Sequence, residues 1–159
     1  MWKYSNWRKR TRDVAEYITT RSEAYVYDFG CGDRYLGTLL PSEKHYVGYD
    51  IIQQPHATQW DFSQGVFPRV KRESIIVMLG LLEYLPNPLW LLLTACQRVT
   101  CVVVSFLYPC SKIAEFPCLN DLTIEEIEKS LIKKEYLFTK TLSSCRNNSK
   151  ALFFIETRR

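Results

Sequence analysis

Nowhere in the 159 residues does an apolar run approach the roughly 20 residues needed to span a bilayer. The longest candidate, around Leu89 to Cys96, breaks off at Gln97 and Arg98. The basic N-terminal stretch, with Lys3, Arg8, Lys9, Arg10 and Arg12, is not followed by an apolar segment. It therefore does not read as a secretory signal, and the expected location is the cytoplasm. Histidine is scarce: His45 and His56 are the only two, and neither is near a cysteine cluster. The six cysteines are scattered, with no C-x-x-C spacing. No metal site is expected from such a pattern. With Cys31 in a glycine turn, Cys96 in a helix and Cys101 at a strand start, free and mostly buried thiols in a reducing compartment are expected instead of a disulfide framework. Repeats, low-complexity segments and linkers are also missing, so residues 1–159 read as a single domain, an N-terminal helix within 1–20 and a core over 24–159. The formal charge of +4 is mild and concentrated at the two ends. A basic arm of that kind is either a solvated helix end or a contact for an anionic partner.

What the chain does have is an apolar run that ends in an acid and opens into a glycine turn: Tyr25-Val26-Tyr27-Asp28-Phe29-Gly30-Cys31-Gly32-Asp33. A second run, His45-Tyr46-Val47-Gly48-Tyr49-Asp50, ends in another acid. Two parallel strands joined by a helix bring both acids to one edge of a sheet, where open α/β sheets bind nucleotide-like ligands. An acid at the end of the second strand suits the two hydroxyls of a ribose. A dinucleotide fingerprint, G-x-G-x-x-G, requires a third glycine where this chain has Tyr35, which argues against a nicotinamide-dependent oxidoreductase.

The segment resembles motif I of the class I S-adenosylmethionine-dependent methyltransferases, (D/E)-x-G-x-G-x-G, through Asp28, Gly30 and Gly32, with Cys31 between the glycines. It departs from that motif at Arg34, in the place of the last glycine. The resemblance continues at the family's intervals. Asp50 stands where the ribose-binding acid stands, and Ile51 where an apolar residue covers the adenine. Trp60-Asp61-Phe62 resembles the third-strand motif, whose acid or adjacent backbone contacts the adenine amino group. Ser74 to Leu79 reads as a buried fourth strand, and Gly80-Leu81-Leu82-Glu83-Tyr84-Leu85-Pro86 looks like the family's LEHLP segment with tyrosine for histidine.

The remaining pattern predicts a helix over Asn6 to Thr19, a strand over Ala24 to Phe29 and a short helix over Tyr35 to Leu40. Only a loop fits between Asp50 and Asp61. Asn87 as cap and Pro88 in the first turn open an apolar helix to Val99, part of which offers an oligomer interface. Cys101 to Phe106 is a fifth strand, and Thr123 to Glu126 has the form of a capping box. Phe138 to Ser144 and Lys150 to Thr157 flank a polar turn and read as a terminal antiparallel hairpin. The expected fold is α/β, a Rossmann-like, seven-stranded, mostly parallel sheet with a C-terminal antiparallel hairpin and helices on both faces.

The resemblance implies S-adenosyl-L-methionine as cofactor, held by Asp28, Gly30, Cys31, Gly32, Asp50, Ile51, Asp61, Phe62 and Leu79. It places the methyl acceptor over the ends of strands four and five, near Glu83, Tyr84, Ser105 and Tyr108, with Glu83 and Tyr84 as the candidate catalytic pair. An unperturbed tyrosine titrates near pH 10, so Tyr84 is better suited to contacting substrate than to acting as base. Base-methylating enzymes carry an (N/D/S)-P-P-(Y/F) motif where this chain has Leu79-Gly80-Leu81-Leu82, so a small-molecule or sugar-like acceptor is expected and a nucleic-acid partner is not. Short insertions leave room for a second copy or a partner subunit to complete the site. The alternative is a degenerate methyltransferase fold acting as a binding or scaffold subunit.

Overall fold

Strand residues alternate between two apolar layers, as a sheet covered on both faces requires. Val26, Ile75, Val77, Cys101 and Val103 pack with Val14, Ala15, Ile18 and Leu36 on one face. Tyr27, Phe29, Ile76, Met78, Val102 and Val104 pack with Leu91, Leu92, Ile127 and Leu131 on the other. The computed structural model describes residues 2–108, 118–145 and 148–157, with side chains over 7–108, 118–143 and 150–157. In chain order the elements are α1 (Trp2–Thr19), β1 (Tyr25–Phe29), α2 (Tyr35–Leu39), β2 (His45–Asp50), β3 (Ala57–Gln59), β4 (Ser74–Leu79), α3 (Pro88–Arg98), β5 (Cys101–Tyr108), α4 (Ile124–Lys133), β6 (Leu137–Cys145) and β7 (Asn148–Glu156).

The seven strands form one sheet in the order β3-β2-β1-β4-β5-β7-β6. β1 runs parallel to both β2 and β4, and β4 parallel to β5. β7 inserts antiparallel between β5 and β6. This is the expected fold. The chain order reverses between β1 and β4, so the crevice outside their carboxyl ends is the topological switch point where ligands of open α/β sheets bind.

The third strand is not where the motif reading put it. β3 is Ala57–Gln59, in register with Gly48 to Asp50, and Trp60-Asp61-Phe62 has already left the strand. Asp61 is the reason: its side chain accepts from the Ser63 N–H and turns the chain into a single 3₁₀ turn at Phe62–Gln64. No α-helix connects β2 to β3 or β3 to β4. Rings cover the sheet instead: Phe62 lies 4.6 Å and Phe67 5.6 Å from Phe29, and Trp60 6.1 Å from Tyr49, between centroids. Aromatic side chains bury enough area each to replace a helix on so narrow an edge.

Further along the chain, α4 opens with the expected capping box, Thr123 accepting from the Glu126 N–H and Glu126 from the Thr123 N–H. Asn87 makes no side-chain cap, so the start of α3 rests on Pro88 at its first turn. The apolar run of α3 is mostly core, with Trp90 left 37% exposed. Among the polar turn residues, Arg146 and Asn147 lie outside the described residues, while Asn148 and Ser149 belong to β7. Cys31, Cys96 and Cys101 are free and buried, as expected. Cys118 is disulfide-bonded, a correction: it sits half-buried in the connection before α4, with no apolar run to sequester it. Among the described residues no helix is long and apolar enough to cross a membrane, and no group of three or more His, Cys, Asp or Glu is arranged to hold a metal ion.

Candidate functional site

β1 ends in a turn that glycine makes possible. Gly30 and Gly32 have φ of 75° and 49°, a region open to glycine at little cost. The N–H groups of Gly30 and Cys31 donate to the Tyr49 carbonyl at 2.8 and 3.0 Å, and the Gly32 N–H donates to Asp50 Oδ2 at 2.8 Å. Asp50 Oδ1 accepts from the Ile52 N–H at 3.0 Å. Asp50 thus ties the glycine loop and the turn after β2 to each other, and an ionised carboxylate retains acceptor sites beyond these two bonds. Among the described residues nothing lies within 4 Å of where a Cβ on Gly32 would stand, so the loop has an open surface that a ligand can approach closely.

Beside the loop lies a pocket of about 150 Å³ lined by Asp28, Gly30, Cys31, Gly32, Asp33, Tyr35, Leu36 and Leu79, and by Trp7, Arg10 and Thr11 from α1. Whole-ligand pockets start at about 300 Å³, so this half-open pocket suits one end of a ligand whose remainder lies along the sheet edge. Asp28 is buried, and burial raises its pKa to about 7 against the opposing effect of the Tyr46 hydroxyl, which donates to Oδ2 at 2.7 Å. Burial lowers the pKa of Arg10, opposed by the carboxylates of Glu83 and Asp28. Its Nε is buried without a hydrogen-bond partner among the described residues. A carboxylate and a guanidinium in one small pocket match the two charges of an α-amino acid. Cys31 is not reactive, since burial pushes its thiol up to about 12.

Asp28, Gly30, Cys31, Gly32, Asp50 and Leu79 are therefore brought together. Ile51 follows at the rim, 59% exposed. Asp61 and Phe62 are placed differently. Both Asp61 oxygens serve the 3₁₀ turn, accepting from Ser63 and Gln64, and these bonds hold the carboxyl below its usual range. The Phe62 ring is buried against Phe29.

Glu83 and Tyr84 belong to a second 3₁₀ turn, Leu82–Tyr84, directly after β4. Tyr84 is half-buried there. Glu83, expected among the groups facing the acceptor, is turned inward: it is 4% exposed and Oε1 accepts from the Leu107 N–H of β5 at 2.8 Å. Burial raises its pKa. The turn is clamped from outside by Asn120, whose amide donates to the carbonyls of Leu82 and Leu85 at 2.8 Å and of Glu83 at 3.3 Å. Ser105 is buried in β5 and Tyr108 exposed at its end.

Sequence reasoning missed Trp7, Arg10 and Tyr46. α1 supplies the first two, and its one signal was a basic residue, Arg10, on the apolar side, three residues after Trp7 and four before Val14. Counting back in twos from Asp50 would have put Gly48 and Tyr46 on the face of β2 that carries the site. The basic arm is partly engaged: the Arg8 guanidinium lies 5.0 Å from the ring centre of Tyr35 in α2, and within α1 Lys9 pairs with Asp13 at 2.9 Å. Arg34 neither crowds the glycine loop nor points to solvent. It adopts a left-handed conformation at φ 60°, the one a glycine would take most readily, and lays its guanidinium over the Tyr46 ring at 5.3 Å.

No family model matches the chain, and no curated protein matches it by sequence. Solved structures do match it in three dimensions. The magnesium protoporphyrin IX methyltransferase ChlM from Synechocystis PCC 6803, with bound SAM, superposes with a TM-score of 0.69 at 16% identity, over 94% of this chain and 79% of that one. The plantazolicin methyltransferase BamL, in complex with a desmethylPZN analog and SAH, gives a TM-score of 0.69 at 15% identity, over 98% of this chain and 88% of that one. The N-terminal domain of EvdMO1, in the presence of SAH and D-fucose, gives 0.67 at 12% identity, over 98% and 84%. With its strand order, its reversed final strand pair and its glycine turn after β1, the chain has the fold of the class I S-adenosylmethionine-dependent methyltransferases.

Proposed function

We propose that the chain is an S-adenosylmethionine-dependent methyltransferase acting on a small-molecule acceptor. The observation that carries this reading is the Asp50 carboxylate. It fixes the glycine loop through Gly32 N–H and holds the turn at Ile52, beside the pocket that Asp28 and the loop backbone line at the switch point. The residues fit the cofactor. Asp28 and Arg10 complement an amino-acid end, the Gly30–Gly32 backbone allows close approach, Asp50 retains acceptor sites for ribose hydroxyls, and Ile51 and Leu79 give apolar cover.

When bound, the cofactor supplies an activated methyl group on sulfur. The chain's part is to align an acceptor with it and keep water out, which proximity and orientation supply without a dedicated base. Tyr84, at the mouth of β4, is assigned to acceptor contact. Glu83 is assigned to holding that turn against β5, since its carboxylate is spent on Leu107 N–H and shut away from solvent.

Thermal unfolding with S-adenosylmethionine, S-adenosylhomocysteine and NADH, repeated on Asp50→Ala and the milder Asp50→Asn, tests the assignment. Ligand at about a hundred times its dissociation constant adds roughly 2.7 kcal/mol, which for a chain of this length is about 5–11 °C in Tm. The expected result is a shift with both sulfur nucleotides, none with NADH, and a loss in the Asp50 variants. No shift with millimolar sulfur nucleotide would refute the cofactor assignment. A shift without methyl transfer to any acceptor would leave a binding subunit.

A further inference from the structure

Two glycines without unusual backbone flank Tyr46, one against its ring and one between its hydroxyl and Cys31. Gly37 in α2 has an ordinary backbone, yet a Cβ there would lie 2.7 Å from the ring's Cε1. Gly48, also with no unusual φ, would place a Cβ 2.8 Å from Cys31 Sγ and 3.4 Å from the Tyr46 hydroxyl. Contacts below 3 Å cannot be absorbed without movement, so space, not turn geometry, requires both glycines. Gly48 is the register partner of Asp28, and the gap it leaves on that face lets the Tyr46 hydroxyl reach Asp28 Oδ2 at 2.7 Å. The Arg34 guanidinium covers the ring.

The charges facing Asp28 come from every neighbouring element. Asp50 at the end of β2 disfavours its ionised form, while Arg10 from α1 and Arg34 at the start of α2 favour it; the Cys31 thiol of the loop is the remaining titratable neighbour. A hydroxyl donating to a carboxylate fixes the plane of that carboxylate and stabilises its charge.

We propose that Tyr46 is a positioning residue that holds Asp28 by one oxygen, so that the other is presented, ionised, to the primary ammonium of a ligand in the pocket. This rests on the cofactor assignment above and deepens it, because the pocket then selects a nucleoside thioether or sulfonium that carries an amino-acid end. Burial favours the protonated form of Asp28, and the Tyr46 bond works against that.

The test is calorimetric titration of two ligands between about pH 6 and about pH 9, a window that spans the Asp28 titration. S-adenosylhomocysteine has the ammonium, and 5′-methylthioadenosine is a nucleoside thioether without the amino-acid end. In Tyr46→Phe, S-adenosylhomocysteine should bind roughly 10- to 100-fold more weakly at pH 7, the range for one hydrogen bond to a charged group. The pH at which its binding is half lost should move upward, and 5′-methylthioadenosine should bind as it does to the unaltered protein. Asp28→Asn should bind both ligands with little pH dependence over the same window. The proposal is overturned if Tyr46→Phe weakens both ligands equally, which is the signature of a purely structural role, or if it weakens neither. If the unaltered protein binds neither ligand, the cofactor assignment itself fails, and the proposal with it. Should Tyr46→Phe not fold, Asp28→Asn decides: an unchanged affinity and pH profile for S-adenosylhomocysteine would overturn the proposal, since Tyr46 would then hold a carboxylate that makes no contact with the ammonium, and a loss confined to S-adenosylhomocysteine would support it.

Discussion

Replacing Glu83 separates two roles that the sequence leaves open, a base in the methyl-transfer step and a pin between two strands. Glu83 Oε1 accepts from Leu107 N–H, and Oε2 is buried without a hydrogen-bond partner among the described residues. Glu83→Gln keeps the acceptor and removes the charge. Glu83→Ala removes both, leaving a buried N–H unpaired at about 1–3 kcal/mol and a cavity besides, so a loss of roughly 2–4 kcal/mol is expected. For a chain of this length that is about 4–16 °C in Tm. The pH dependence follows from the raised pKa. A carboxyl that holds its proton more tightly when folded contributes stability that is full below the ordinary value of 4.5 and is lost as pH rises through the folded value. Relative to the unaltered protein, Glu83→Gln should therefore gain stability as pH rises above about 4.5, by about 1.4 kcal/mol for each unit by which the folded pKa is raised. Urea unfolding at several pH values measures this directly. Under the pin reading, Glu83→Gln also retains methyl transfer to within about tenfold, whereas loss of a general base costs about 10²–10⁴. A Gln variant with unchanged pH dependence, or one that folds and binds cofactor but loses transfer at that larger scale, would refute the reasoning.

Two further substitutions probe the supports of the site. Gly48→Ala must push Cys31 or Tyr46 aside and should cost about 1–3 kcal/mol, read as a Tm lowered by roughly 2–12 °C; an unchanged Tm would show that the loop has slack. Asn120→Asp removes the amide donors from the carbonyls of Leu82, Glu83 and Leu85 and should cost roughly 2–4 kcal/mol, seen as a lower urea midpoint with an unchanged slope.

Local signals carried most of the fold. The runs at Tyr25, Ser74 and Cys101 are apolar on both faces because their strands are covered on both faces, and the capping box at Thr123 is complete within four residues. The glycine loop and Asp50 were readable because each depends on its own short segment. What could not be read depends on distant contacts. A glutamate in a turn after a strand looks solvent-facing until Leu107, 24 residues on, offers an N–H. Asn120 looks like an ordinary loop residue until its amide reaches the turn some 35–38 residues before it. Arg34 looked like damage to a glycine motif because its partner, the Tyr46 ring, comes from the neighbouring strand.

The losses in this chain fall where they do least harm to such a site. The crossovers into β3 and β4 have no α-helix, yet β3 is the sheet's outer strand and only three residues long, and the rings of Trp60, Phe62 and Phe67 cover what those crossovers leave. The switch point lies between β1 and β4, two strands inside that edge, and it is tied by hydrogen bonds from Gly30 and Cys31 to Tyr49, from Gly32 to Asp50 and from Tyr46 to Asp28. Had the fold been kept only as a scaffold, nothing would hold Gly37 at a position with ordinary backbone to make room for the Tyr46 ring, or Gly48 to make room for Cys31 beside its hydroxyl. Both glycines give up packing area in α2 and β2, and at Gly37 a smaller ring at position 46 would let alanine recover it. The residues around Tyr46 thus favour a working pocket over a relic of one.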